Sequence, residues 1–172
     1  MLDVFKSLTA NQYEAVFCMF NTCVERCPDS AWDAPVGTQP FSRIAFHTLF
    51  YADYYLGMSP DGFREQPFHL ENTEHFRDYE ELEWREPVLL YEREFVTRYL
   101  QHCRTKAGEA ISGETEQSLS GPTNFPRRDF TRAELYVYNM RHVHHHAAQF
   151  SLRLRIDHEV DIPWFGSGWT EM

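Results

Sequence analysis

The stretch Asn139-Met140-Arg141-His142-Val143-His144-His145-His146 places four histidines within five residues. If the segment is helical, His142 and His146 are four apart on one face, with Cβ atoms ~6 Å apart. That is close enough for two imidazoles to converge on one cation, as in helical metalloprotease motifs. His144 falls about 200° around the helix from His142 and points elsewhere, whereas His145 lies about 60° to the side and is a fourth candidate. Two imidazoles need a third ligand. His47 is the only histidine in its own helical segment and shares a face with Ile44, Tyr51 and Tyr54. A lone histidine on such a seam is commonly a hydrogen-bonded core residue, but its coincidence with the His142–His146 pair makes it the third-ligand candidate. His69, His75 and His158 lie outside the long helical segments and are weaker candidates.

Three neutral imidazoles would leave a divalent ion with an open coordination position, the arrangement of catalytic rather than structural zinc. Zinc or nickel suits this ligand type best. Such an ion lowers the pKa of a bound water toward ~7 and deprotonates a bound thiol, giving a nucleophile at neutral pH. Protons compete for the same nitrogens, so occupancy is expected to fall around or below the free histidine pKa of ~6.5. A polar column of Asn139, His142, His146, Gln149 and Arg153 borders the apolar stripe Tyr136, Met140, Val143, Ala147, Phe150 and Leu154. Arg153 is a candidate cation for an anionic substrate. Tyr51, one turn after His47, is a candidate hydrogen-bond donor to a bound anion; Asn139 and Gln149 are further orienting candidates.

Four segments with helical periodicity position these groups. The first is expected over about Thr9–Arg26, with Thr9 and Gln12 as a capping box. The second runs from Pro40, a good first-turn residue, to Leu56, with Gly57 to stop it. The third is expected over Pro87–Ala107, ending at Gly108. The fourth opens on the capping box Thr131-Arg132-Ala133-Glu134 and persists to about Ile156. No strand pattern of comparable length competes, so the expected class is all-α: a four-helix bundle with long crossover connections. The crossovers are Met58–Glu86, which is acidic and expected to hold a short helix around Asp78–Trp84, and Ser112–Phe130.

The length of 172 residues suits one domain spanning the chain, and 42% hydrophobic residues supply its core. A formal net charge of −10 disfavours nucleic acid as a partner, because phosphate binding relies on Lys and Arg. The start, Met1-Leu2-Asp3-Val4-Phe5-Lys6, lacks the pattern of a signal peptide, and no apolar run approaches the ~20 residues that span a bilayer. A cytoplasmic protein with no membrane partner is therefore expected. Cys18, Cys23, Cys27 and Cys103 include no CxxC pair and read as apolar fillers in a reducing compartment.

The stretch from Asn139 to Phe150, with His, three intervening residues, His and a Gln shortly after, resembles the last-helix signature of the DinB/YfiT-like superfamily. Phe41-Ser42-Arg43-Ile44-Ala45-Phe46-His47-Thr48 is similar to that family's second-helix motif, and Ile162-Pro163-Trp164 to a tail found in many members. Ala148 stands where many members have Gly. The resemblance implies a four-helix bundle of up-up-down-down topology, one metal ion on His47, His142 and His146, and a homodimer. It also implies a small-molecule substrate and a metal-dependent activity, such as that of a thiol S-transferase using a low-molecular-weight thiol, or a hydrolase-like one using water. A non-catalytic metal-stabilised bundle acting in dimerisation or partner binding is the alternative.

Overall fold

A computed structural model describes residues 1–170 of the chain. In order, the elements are α1 (Leu2–Arg26), α2 (Asp29–Trp32), β1 (Pro35–Val36), β2 (Gln39–Pro40), α3 (Phe41–Leu56), α4 (Pro67–Glu71), α5 (Arg93–Gly113), α6 (Glu116–Ser120) and α7 (Arg132–His158). Single 3₁₀ turns lie at Phe63–Glu65 and Glu80–Leu82. The architecture is mainly helical; β1 and β2 form only a small antiparallel hairpin turned at Gly37, whose φ of +72° suits a residue without Cβ. No helix among the described residues is long and apolar enough to cross a membrane.

The four long helices pack in a closed cycle, with α1 and α3 each against both α5 and α7. Their directions follow from paired residues. Tyr13 bonds to the Tyr136 carbonyl and Cys23 to that of Ala147, so α1 and α7 run parallel. Lys6 reaches Ser112 and Arg104 reaches Glu14, so α1 and α5 are antiparallel. Phe41 stacks on Phe150 at 3.8 Å while Asn139 bonds to Ala52, so α3 and α7 are antiparallel. Cys103 pairs with Leu49 and Lys106 with Asp53, which makes α3 and α5 parallel. The sense is therefore up, down, down, up, and not the expected up-up-down-down. The physical reason is the crossover between α3 and α5, which returns the chain along the length of α3 before α5 begins.

Two boundaries differ from expectation. Thr9 does not cap a helix: it is 2% exposed inside α1, which starts at Leu2. Leu2 and Phe5, both half-buried, extend the apolar stripe against the core, with Phe5 edge-on to Tyr136 at 6.2 Å. Burial there outweighs the local capping signal. The third helix begins at Arg93 instead of Pro87, because the preceding residues are held in irregular backbone: Tyr91 stacks on Phe46 at 3.8 Å and its carbonyl accepts from Trp32 Nε1 at 2.8 Å. It continues past the exposed Gly108 because Ile111 is buried beyond it. The expected short helix near Asp78–Trp84 is the 3₁₀ turn Glu80–Leu82.

The second and fourth helices begin and end close to the expected places. Thr131 caps α7, its hydroxyl accepting from the Glu134 amide at 3.2 Å. Thr131→Ala is expected to destabilise the fold by about 1 kcal/mol, the usual worth of such a cap, read as a lower urea midpoint at unchanged slope.

Two buried polar networks fix the frame. Arg132, the first residue of α7, donates to the last carbonyls of α3: Tyr55 at 3.1 Å, Leu56 at 2.9 Å and Gly57 at 2.6 Å. It also pairs with the buried Glu114 at 2.8 Å. The crossover is anchored at Asp53, which has no exposed surface. Asp53 meets His69 at 2.8 Å, the Tyr99 hydroxyl at 3.0 Å, and the Lys106 ammonium. Burial pushes the Asp53 carboxyl up, but His102 at 3.5 Å, the hydrogen bond with His69 and the charge of Lys106 outweigh it, holding the group well below the usual range.

Candidate metal centre

Antiparallel packing of α3 against α7 brings His47 opposite His142 and His146. One ring nitrogen from each of the three lies within 4.8 Å of the others. The rings are 5.4 Å (His47–His142), 5.2 Å (His47–His146) and 4.8 Å (His142–His146) apart. Asn139 and Arg132, both on α7, bond to Ala52 and to the end of α3 and so fix the register that aligns them.

The remaining contacts of each ring decide which nitrogen is free. His47 Nδ1 is 2.7 Å from Glu81 Oε2, and His146 Nδ1 is 3.0 Å from Gln149 Oε1. Both leave Nε2 facing outward from its partner. His142 Nε2 is buried and has no hydrogen-bond partner. Leaving a buried polar nitrogen unmatched costs on the order of 1–3 kcal/mol, and a cation held between this nitrogen and the other two rings removes that cost. The donor set fits a divalent metal.

Burial, together with the neighbouring His146 and His47 rings, pushes the His142 imidazole down to about 3. Burial and His47 push His146 down to about 4. Both are thus neutral at pH 7, the form a ligand needs. In the unfolded chain these groups titrate near ~6.5, so between that pH and about 4 the unfolded state binds more protons. Metal-free protein should therefore lose stability as pH falls from about 6.5 to about 4. Urea midpoints of chelator-treated protein at pH 7, 6 and 5 should decline, and decline less steeply in His142→Gln; parallel curves would contradict this. Proton competition at these two ligands also sets in lower than the ~6.5 expected from free histidine.

The cluster opens on a cleft of about 410 Å³. Its walls include Arg43 and Ile44 from α3, Glu81 and Arg85 from the crossover, and Pro87. Tyr51 also lines it, its ring 5.0 Å from His47. The Tyr51 hydroxyl donates to the Glu81 carbonyl at 2.7 Å, and burial with the nearby Glu81 carboxylate pushes its pKa to about 12. It is a protonated donor whose one hydrogen holds the crossover.

Arg153 does not join the cluster: it is ion-paired with Asp157 one turn on and lines a separate small recess beside Phe41 and Leu154. Helical spacing placed it on the polar column, but the cleft extends along α3 and the crossover rather than along α7. His145 is exposed beside His146, its Nε2 3.1 Å from Gln149 Nε2. His144 points the other way, toward Trp164. His69 lies in the Asp53 network and His75 stacks on Phe95. Glu81 and Arg43 also line the cleft, and neither stands out in the sequence. Glu81 is one of several acids in its stretch and nothing local distinguishes it; Arg43 sits one turn before His47, a spacing that could have flagged it.

The family model described as the DinB superfamily matches residues 4–150. No curated protein matches the chain, and no solved structure does.

Proposed function

This chain belongs to the DinB superfamily, and we propose that it holds one divalent metal ion, zinc or nickel, on His47, His142 and His146 and uses it to activate a small thiol or water against an electrophilic substrate. The observation that carries the reading is the convergence of three ring nitrogens within 4.8 Å, on a cluster that holds the buried and unpartnered His142 Nε2, at the mouth of a cleft. A divalent ion supplies Lewis acidity that makes a thiol or water nucleophilic at neutral pH. The chain's own groups then position the reactants. Arg43 donates to the carbonyls of Leu89 at 3.2 Å and Val88 at 3.1 Å and to Gln39 Oε1 at 2.7 Å, and makes no ion pair among the described residues. Its guanidinium on the cleft wall is the cation this reading offers to an anionic substrate, the role expected of Arg153. Arg85, by contrast, is neutralised by Asp78, Glu80 and Glu83.

A four-helix bundle is the architecture this reading assigns, supported by the closed cycle of helix contacts. A homodimer in the cytoplasm belongs to the same reading; four free, buried cysteines suit a reducing compartment. A second reading, a non-catalytic metal-stabilised bundle, is favoured by one observation: the Tyr51 hydroxyl and Arg153 are both engaged within the protein.

Elemental analysis of untagged protein purified without chelator tests the metal, with close to one ion per chain expected. A repeatable absence removes the site. With metal present, thiol consumption measured against a panel of electrophiles separates the transferase from the inert bundle.

A further inference from the structure

We propose that Glu81, which lies on the crossover and on none of the long helices, is a positioning residue that holds His47 in the Nδ1–H form, presents Nε2 to the metal, and so couples metal affinity to docking of the crossover. The proposal rests on the metal reading above. Its basis is a delivered carboxylate. Tyr79 turns the backbone at φ +52° and leads into the 3₁₀ turn Glu80–Leu82. Glu80, 4% exposed, accepts from the amides of Val88 at 2.8 Å and Leu89 at 3.3 Å, closing the segment on itself. The Glu81 carbonyl is pinned by the Tyr51 hydroxyl. Its side chain, 6% exposed, then meets His47 Nδ1 at 2.7 Å.

A buried carboxylate requires a donor, and a neutral imidazole has a single N–H. Donation from Nδ1 to Glu81 leaves the Nε2 lone pair free for a cation held with His142 and His146, one ring nitrogen of each histidine lying within 4.8 Å of the others. A carboxylate behind a ligand imidazole fixes its tautomer and raises its basicity, and losing such a partner typically costs 10–100-fold in metal affinity. Linkage makes the effect reciprocal, so metal binding must tighten the crossover by the same factor. A simple ion pair that docks the crossover on a protonated His47 has neither property.

Zinc competition titrations with a chromophoric chelator compare the wild-type protein with Glu81→Gln, Glu81→Ala and the exposed crossover control Glu74→Gln, with helicity checked by circular dichroism. Glu81→Ala should bind zinc 10–100-fold more weakly, and Glu81→Gln, which keeps an acceptor oxygen without its charge, should fall between. The control should match wild type. Long-range ¹⁵N–¹H spectra should place the His47 proton on Nδ1 with or without zinc, and zinc should slow amide exchange over residues 79–89 in wild type but not in Glu81→Ala. Wild-type affinity in a helical Glu81→Ala protein, or a His47 proton on Nε2, overturns the proposal while leaving the metal site intact. Wild-type protein that binds no zinc overturns the metal reading and the proposal with it.

Discussion

Replacing His47 with Ala is expected to remove high-affinity metal binding while leaving the helices in place. The His47 side chain is 36% exposed at the wall of a cleft, so its truncation opens no cavity in the packed core. What it removes is the only ligand contributed by α3. A metal held by His142 and His146 alone has both protein ligands on one helix, and affinity should fall by more than the 10–100-fold typical of losing a supporting partner. The consequence for stability is direct. Zinc at 100 times the wild-type Kd stabilises the native state by about 2.7 kcal/mol, but by only about 0.4 kcal/mol once Kd has risen 100-fold. Thermal unfolding with and without zinc reads the difference: a clear zinc-induced rise in Tm for wild type and nearly none for His47→Ala. An equal rise in both would show that zinc binds elsewhere.

The largest effect on the fold itself is expected at Arg132. Arg132 is 3% exposed, and its guanidinium satisfies three carbonyls at the end of α3 and the Glu114 carboxylate together. Hydrogen bonds from Arg132, Ser118 and Tyr136 overcome the burial that would otherwise raise the Glu114 pKa, and hold it below the usual range. Arg132→Ala leaves a buried charge without its partner and should cost 3–5 kcal/mol. Arg132→Lys should recover little, because one ammonium cannot reproduce a planar fork directed at three carbonyls, the Glu114 carboxylate and the Tyr136 hydroxyl. Arg132 also joins the helix bearing His142 and His146 to the helix bearing His47, so zinc affinity should fall together with stability. Urea unfolding and zinc titration of the same variants test both. A loss under about 1 kcal/mol would mean that the network relaxes around the gap.

Local signals decide an element's ends where the tertiary structure leaves them in charge. Pro40 and Gly57 bound α3 through their own backbone, and Thr131 opens α7 through a hydroxyl that reaches an amide only three residues on, so each signal is local. The Thr9 cap fails because Leu2 and Phe5 pack against the core, Phe5 on Tyr136 more than a hundred residues away. The start of α5 failed for a similar reason, the stacking of Tyr91 on Phe46. Helix direction was not legible at all, since periodicity is the same in either sense and the crossover decides which one is adopted.

The site divides along the same line. The spacing of His142 and His146 is a property of one helix and was readable, and the motif around His47 supplied its partner. The contacts of Glu81 and Arg43 depend on how an irregular acidic crossover folds back over α3, and no short-range pattern encodes that. Arg153 illustrates the converse: its place on the polar column of α7 is real, but its charge is taken by Asp157.

The most direct measurement is anomalous diffraction from crystals of zinc- or nickel-loaded protein, collected on both sides of the metal absorption edge. The expected result is one anomalous peak per chain, bonded to Nε2 of His47, His142 and His146 and facing the cleft. No peak at these residues in loaded crystals, or a peak held by other side chains, would contradict the metal centre.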